Sequence, residues 1–132
     1  MLPFSVTLRP GASVHQQVVF AVKKALVSGR LKAGDEFPSV RALSKELRVN
    51  PNTAHKVIAT LVSEGVLEVR PGIGTAVGTV PVSTAAQRRA LLGDDVERLV
   101  VEARHLALGV EDVVGAVEER WRRLDGKRRH TE

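Results

Sequence analysis

The 132-residue sequence has no cysteine and no tyrosine, and aromatic residues make up only 3% of the chain. The absence of cysteine excludes disulfides, thiolate metal sites and cysteine nucleophiles. No apolar run approaches the ~20 residues of a membrane span. The first residues, MLPFSVTLRP, lack the apolar stretch of a signal peptide. These absences predict a soluble, cytoplasmic protein with no membrane partner.

Groups that carry catalysis or bind metal are also sparse. The four histidines, at positions 15, 55, 105 and 130, are scattered, and no His/Asp/Glu cluster has the spacing of metal ligands. The run GIGTAVG, residues 72–78, lacks the Lys-Ser/Thr ending of a phosphate loop and opens no helix. No nucleophile–base pair is recognisable. We therefore predict no metal, no cofactor and no enzymatic activity.

Positive charge is concentrated in the first part of the chain. Residues 1–79 hold ten Lys/Arg and five Asp/Glu, whereas residues 80–132 hold ten of each, so the first part accounts for the whole net charge of +5. A localised positive excess indicates a polyanionic partner such as nucleic acid, although an ordinary basic surface would have the same balance.

The first part predicts three helices and a hairpin. Apolar spacing places the helices at about residues 14–28, 40–47 and 51–64, with N-caps at Ser13, Ser39 and Asn50. The segment GRLKAGDEF, between the first two helices, predicts a sharp turn. Alternating residues on both sides of PGIG (71–74) predict a β-hairpin over residues 66–77.

The second part predicts helices only. Beyond a boundary at Pro81, a helix of about residues 94–107 and another of about 111–124 carry apolar stripes, with glycines at 93 and 109 as breaks. Whether residues 84–108 form one helix or two broken at Gly93 stays open. A segment this short cannot bury these stripes by itself. It must pack on the first part or, as a dimerisation region, on a second copy.

The order of elements predicts a mainly α fold with a small β-hairpin. We assign a winged helix-turn-helix domain to residues 1–79. A short C-terminal dimerisation region of two to three helices follows over 80–126, and a basic frayed tail over 127–132.

The third helix begins with the polar run VNPNTAHKV, residues 49–57. Recognition helices read base edges in the major groove with the side chains of their N-terminal turns. Helical spacing puts Asn52, His55 or Lys56, Ala59 and Ser63 on one stripe opposite the apolar one. The small Ala59 and Thr60 would let the backbone approach the duplex. His55 could instead contact a phosphate or pack against the second helix.

Two arginines outside this helix are further candidates. Arg41 lies in the first turn of the second helix, where its charge opposes the helix macrodipole, so a phosphate or guanine partner would explain it. A solvated Arg41, or one paired with Glu46, is the alternative. Arg70 supplies charge beside the glycines of the hairpin tip, which could also be a solvated turn.

Residues 13–77 resemble the DNA-binding domain of the GntR family of bacterial transcription regulators. The pieces that carry the resemblance are SGRLKAGDEFPSVRAL, VNPNTAHKVIATL and EGVLEVRPGIGTAV, in this order and spacing. VNPNT and the short C-terminal part, with ARHLALGVEDVVGAVEERW, resemble the YtrA subfamily. The family's DNA contacts correspond to Arg41, Asn52, Thr53, Lys56 and Gly72 here, and also to His55.

The resemblance implies a homodimeric regulator, usually a repressor of its own operon, on a palindromic double-stranded DNA operator. The operon could include ABC transporter genes. Two residues depart from the family: Arg48 stands where glycine is usual, and Ile73 where a basic residue is frequent. If position 48 needs a left-handed backbone, arginine costs about 1–2 kcal/mol there, and a phosphate contact could compensate. A small-molecule effector stays unknown, and a winged module for protein contact is the second class of function.

Overall fold

The computed structural model describes residues 2–79 and 83–129, with side chains to residue 125 in the last helix. The chain forms two compact units, Met1–Val82 and Ser83–Glu132. The predicted boundary at Pro81 lies outside the described residues. None of the described helices combines the length and the hydropathy needed to cross a bilayer.

The first unit contains the three predicted helices and the hairpin. Their bounds are α1 Val14–Val27, α2 Val40–Leu47, α3 Pro51–Ser63, β1 Leu67–Arg70 and β2 Gly74–Val77. Ser13, Ser39 and Asn50 cap the three helices by accepting a backbone N–H two or three residues ahead, as predicted. The prediction of a mainly α winged helix-turn-helix fold is confirmed.

The core of this unit is formed by the apolar stripes of the helices and the start of the hairpin. α1 contributes Val18 and Val22, α2 contributes Leu43, and α3 contributes Val57 and Leu61, all of them at most 1% exposed. α3 packs against both α1 and α2. Because the core holds α3 by one side only, its other side is available to solvent.

The segment after α1 is more ordered than the predicted turn. β1 and β2 pair antiparallel with Leu67 opposite Val77 and Arg70 opposite Gly74. Residues 34–37 then join the free edge of β2: the Phe37 N–H donates to the carbonyl of Thr75 at 2.8 Å, and Glu36 forms a bridge with Ala76. This pairing holds the hairpin at the outer edge of β2. The sequence does not predict it, because residues 34–37 are too short and too polar to be recognised as a strand.

The second unit begins with a helix that is not broken at Gly93. α4 (Ala85–Arg89) continues through a π-helical turn (Ala90–Asp95) into α5 (Val96–His105). The predicted start near Asp94 is therefore wrong. Glycine inside a helix costs only about 1 kcal/mol relative to alanine, and the wider π turn takes up the irregularity without a left-handed residue.

The connection to the last helix also differs from the prediction. α5 ends before Ala107, which has φ 61°, rather than at Gly109. Its amide donates to the carbonyl of Arg104 at 3.1 Å, while the Leu108 amide donates to that of Ala103 at 2.9 Å. These two bonds form a Schellman motif. α6 (Val110–Arg129) extends beyond the predicted end at 124, so residues 127–129 of the predicted frayed tail are helical.

Candidate nucleic-acid interface

The front of α3 is fixed before any partner binds. The Asn50 carboxamide oxygen accepts the Asn52 N–H at 2.8 Å, and Pro51 sets the φ angle of the first helical position. Asn50 is therefore the N-cap, as the sequence predicts. The remaining free N–H groups of this turn point out of the helix end and can donate to an anion.

One side of α3 is exposed along its whole length. Its exposed residues are Asn52, His55, Lys56, Ala59 and Ser63. The opposite side is buried through Ala54, Val57, Ile58 and Leu61. The polar row offers an amide, an imidazole and an ammonium group, which are able to donate to or accept from base edges and phosphates. The small Ala59 leaves the helix backbone accessible two turns further on.

Thr53 and Thr60 lie at the flank of this row rather than on it. Both are half-buried and are separated by seven residues, or about two helical turns. The Thr60 hydroxyl lies 2.8 Å from Nε2 of His15 on α1. Thr60 therefore attaches α3 to α1, while close approach of the backbone to a duplex at this position stays a prediction.

α1 also holds the end of α3. Lys23 Nζ lies 2.7 Å from a carboxylate oxygen of Glu64, the residue that follows the last turn. His15 and Lys23 are eight residues apart on α1, which places them about 80° apart around the helix. Neither contact is predictable from the sequence, because a pair separated by more than 40 positions carries no periodic signal.

Arg41 projects from the start of α2. It is exposed, it follows the Ser39 cap by two residues, and the first turn of α2 contains no acidic residue. Within residues 2–79 and 83–129, Arg41 forms no ion pair. Among these residues nothing compensates its charge at the positive end of the helix, an arrangement that an external anion would stabilise.

Arg48, in the turn between α2 and α3, has the left-handed conformation, with φ 55° and ψ 46°. Its amide and that of Val49, the latter at 3.1 Å, both donate to the Ser44 carbonyl, and the Ser44 hydroxyl donates to the Val49 carbonyl at 2.7 Å. These bonds fix the backbone although the residue is not glycine. The arginine side chain is exposed, and Arg48 precedes the first residue of α3 by three positions.

The hairpin presents a short tip. Gly72 has φ 77° and is exposed, and Ile73 is 72% exposed. Arg70 is half-buried, with Nε 3.6 Å from the carboxylate of Glu68. The amide of Thr79 donates to that carboxylate at 2.8 Å and, with Arg70 as a smaller cause, lowers the pKa of Glu68. Arg70 is thus partly neutralised inside the hairpin, whereas Gly72 and Ile73 are free to meet a partner.

Comparison with known proteins identifies the class of this interface. Residues 14–77 match the sequence model described as bacterial regulatory proteins, gntR family. The chain is 26% identical over 112 residues to the HTH-type transcriptional repressor YtrA of Bacillus subtilis, covering 84% of this chain and 86% of that protein. It is 26% identical over 105 residues to the transcriptional regulator YhcF of the same organism, covering 80% and 87%.

Solved structures share the fold. The crystal structure of a transcriptional antiterminator from Listeria monocytogenes EGD-e superposes with a TM-score of 0.80 at 22% identity, covering 92% of this chain and 91% of that one. A GntR family transcriptional regulator from Listeria monocytogenes gives a TM-score of 0.64 at 22% identity, covering 85% and 98%. The relatives matched by sequence are transcription regulators rather than enzymes. The exposed row of α3 belongs to a DNA-binding domain.

Proposed function

We propose that this chain, which belongs to the gntR family of bacterial regulators through its helix-turn-helix domain, is a homodimeric repressor that binds a palindromic operator. α3 enters the major groove of double-stranded DNA, and the hairpin follows the backbone or the minor groove. The observation that carries the proposal is the exposed polar row on α3, next to a helix start that is already capped and rigid.

Base reading is assigned to the first turns of α3. Asn52 and Lys56 are one helical turn apart and exposed, and His55 is exposed beside them. An asparagine amide can form two hydrogen bonds with adenine, and a lysine can donate to guanine or to a phosphate. Thr53 is half-buried and is better suited to a phosphate beside the helix than to a base.

Phosphate binding is assigned to the residues around α3. Arg41 and Arg48 are exposed cations without an acidic partner among the described residues, and the backbone of Arg48 is in the left-handed conformation, which is strained for arginine. Gly72 brings the backbone of the hairpin tip close to the DNA, with Arg70 behind it. Ile73 replaces a cation there, so the hairpin contributes less charge than the helix-turn-helix.

Dimerisation is supported by apolar side chains that the second unit leaves exposed. Among the described residues, twelve of the sixteen exposed large hydrophobic side chains lie in residues 91–121. They include Leu99 on α5 and Val114, Val117 and Trp121 on α6, the last of which is 73% exposed. Apolar surface on this scale marks an interface, and two-fold pairing matches a two-fold operator.

Repression is proposed by analogy with one relative. YtrA of Bacillus subtilis is named a repressor, and we extend that activity to this chain. The resemblance to its subfamily further supports regulation of its own operon, including ABC transporter genes.

DNA binding is tested by fluorescence anisotropy with DNA from the chain's own promoter. Affinity should fall about 10³-fold or more between 50 and 200 mM salt, as expected for roughly six to ten phosphate contacts. Lys56→Ala should weaken binding to all sequences, whereas Asn52→Ala should remove about 1–3 kcal/mol of base discrimination. An unchanged preference among operator variants after Asn52→Ala would exclude it as a base reader.

Assembly is tested by light scattering on the full chain. The wild type should be dimeric at micromolar concentration, and Leu99→Ser with Trp121→Ser should shift it to monomers because two apolar anchors are lost. Arg122→Ser, an exposed substitution on the same helix, is the matched control. A monomeric wild type would contradict the proposal that a dimer binds a palindromic operator.

A further inference from the structure

A groove of about 420 Å³ lies between α1 and the chain segment that precedes it. Its lining includes Thr7 and Arg9 from the segment and Gln17, Phe20, Ala21 and Lys24 from α1. This volume lies within the range of about 300–1,000 Å³ that small-molecule sites occupy. The DNA interface described above uses none of these residues.

The Gln17 side chain attaches the wall of the groove to α1. The Gln17 amide oxygen accepts the Arg9 N–H at 2.8 Å, and its NH₂ group donates to the carbonyls of Arg9 at 3.1 Å and Ala12 at 3.2 Å. The segment is therefore attached to α1 by three hydrogen bonds. A groove whose wall is already ordered requires little further ordering when a ligand binds.

The chemistry of the lining is aromatic and cationic. Phe20 is 66% exposed, although its neighbours Val19 and Ala21 are buried. Arg9 and Lys24 form no ion pair with any residue in 2–79 or 83–125, and none of the lining residues is acidic. An aromatic side chain that lines the same groove as two cations without an ion pair among the described residues suits a ligand with an apolar body and an acidic group.

We infer that this groove binds a small organic anion with an apolar body, such as an aromatic carboxylate, sulfonate or phosphate ester. The apolar body covers Phe20, and the acidic group contacts Arg9 and Lys24. DNA phosphate is a poorer occupant, because the mean direction of residues 17, 20 and 24 lies roughly 130° around α1 from the mean direction of residues 15 and 23, which contact α3 and the residue that follows it.

The position of the groove also suggests a regulatory consequence, which rests on the proposed function. α1 binds the groove's ligand on one side and contacts α3 through His15 and Lys23 on the other. A small displacement of α1 would reach the recognition helix through these two contacts. The ligand would then change operator affinity without touching the DNA.

The site is tested on the full chain by ¹H–¹⁵N NMR titration with 8-anilinonaphthalene-1-sulfonate. The neutral N-phenyl-1-naphthylamine, which has the aromatic body without the sulfonate, is the charge control. The sulfonate should shift the Gln17 side-chain amide and the backbone amides of Phe20 and Lys24. Its Kd should be about tenfold lower than that of the neutral probe, as expected when charged contacts are added.

Variants localise the probe. Arg9→Gln with Lys24→Gln should raise the Kd of the sulfonate about tenfold, and Phe20→Ser should weaken both probes. Lys32→Gln with Lys45→Gln, which removes the same charge elsewhere in the first unit, should have no effect. Shifts confined to residues 83–129, equal affinity for both probes, or a response to the control pair would each overturn the proposal.

Operator anisotropy separates the ligand site from its regulatory consequence. Saturating sulfonate should change operator affinity at least about threefold in the wild type but not in Phe20→Ser. If Arg9→Gln with Lys24→Gln weakens DNA binding while probe binding is unchanged, the cations belong to the DNA interface and the proposal fails. If no DNA binds at all, the proposed function fails, while the NMR titration still decides the ligand site.

Discussion

Arg48→Gly should stabilise the protein and weaken its binding to DNA. Arg48 has φ 55° in the turn of the helix-turn-helix, where a side chain with a Cβ is strained. The strain costs about 1–2 kcal/mol. Glycine removes this strain but lowers stability by about 0.5–1 kcal/mol, because its unfolded chain has greater entropy. The net gain is therefore about 0.5–1 kcal/mol. For a domain of this size it corresponds to a rise in Tm of about 2–6 °C.

The substitution should remove no hydrogen bond from the turn. The three hydrogen bonds around this turn use the backbone of residues 44, 48 and 49 and the hydroxyl of Ser44, and none uses the arginine side chain. Glycine keeps all of them. Ala107→Gly is the matched control, because Ala107 has φ 61° at a helix end in the second unit. It should also stabilise but leave DNA affinity unchanged.

The assay is urea unfolding together with operator anisotropy at fixed protein concentration, since dimer stability depends on concentration. Loss of the Arg48 phosphate contact should reduce the slope of log affinity against log salt by about one per half-site. Arg48→Asn removes the charge while tolerating the left-handed backbone, so it should lose the same affinity. A lower unfolding free energy for Arg48→Gly would refute the strain argument, and unchanged DNA binding would refute the phosphate contact.

The N-cap of α3, the β-hairpin and the contact between α3 and α1 can each be tested by one substitution. Asn50→Ala should lower the free energy of unfolding by about 1 kcal/mol in urea titrations, because an N-cap is lost; no loss would mean that solvent replaces it. The Thr79 amide lowers the pKa of Glu68 below its ordinary value of 4.5, so the stability that this group contributes is present above that value and lost as pH falls through the folded-state pKa. The difference in urea midpoint between wild type and Glu68→Gln should therefore shrink between pH 5 and pH 3, and a constant difference would contradict the assignment. Thr60→Val should cost about 1 kcal/mol by leaving the His15 ring nitrogen without its partner. Ser63→Ala should be close to neutral in the same titration, because it removes only a solvent-exposed hydrogen bond from the Ser63 hydroxyl to the Thr60 carbonyl.

The sequence determined the local features of this protein. Capping residues and apolar spacing fixed the starts of α1, α2 and α3 to the residue, because a helix start depends on side chains within three or four positions. The exposed polar row of α3 followed from the same spacing. The left-handed conformation of Arg48 was expected only conditionally, from the glycine that is usual at this position in the family it resembles, and the structure shows φ 55° there.

Only the tertiary structure decided contacts between distant segments. The attachment of Thr60 to His15, the pairing of residues 34–37 with β2 and the groove beside Phe20 join positions whose separation in sequence leaves no pattern. The continuous helix through Gly93 was likewise undecidable, because a cost of about 1 kcal/mol for an internal glycine is small enough for its neighbours to outweigh. Helix and turn propensities depend on neighbouring residues and can be recognised in a sequence. A tertiary contact depends on how every intervening element packs.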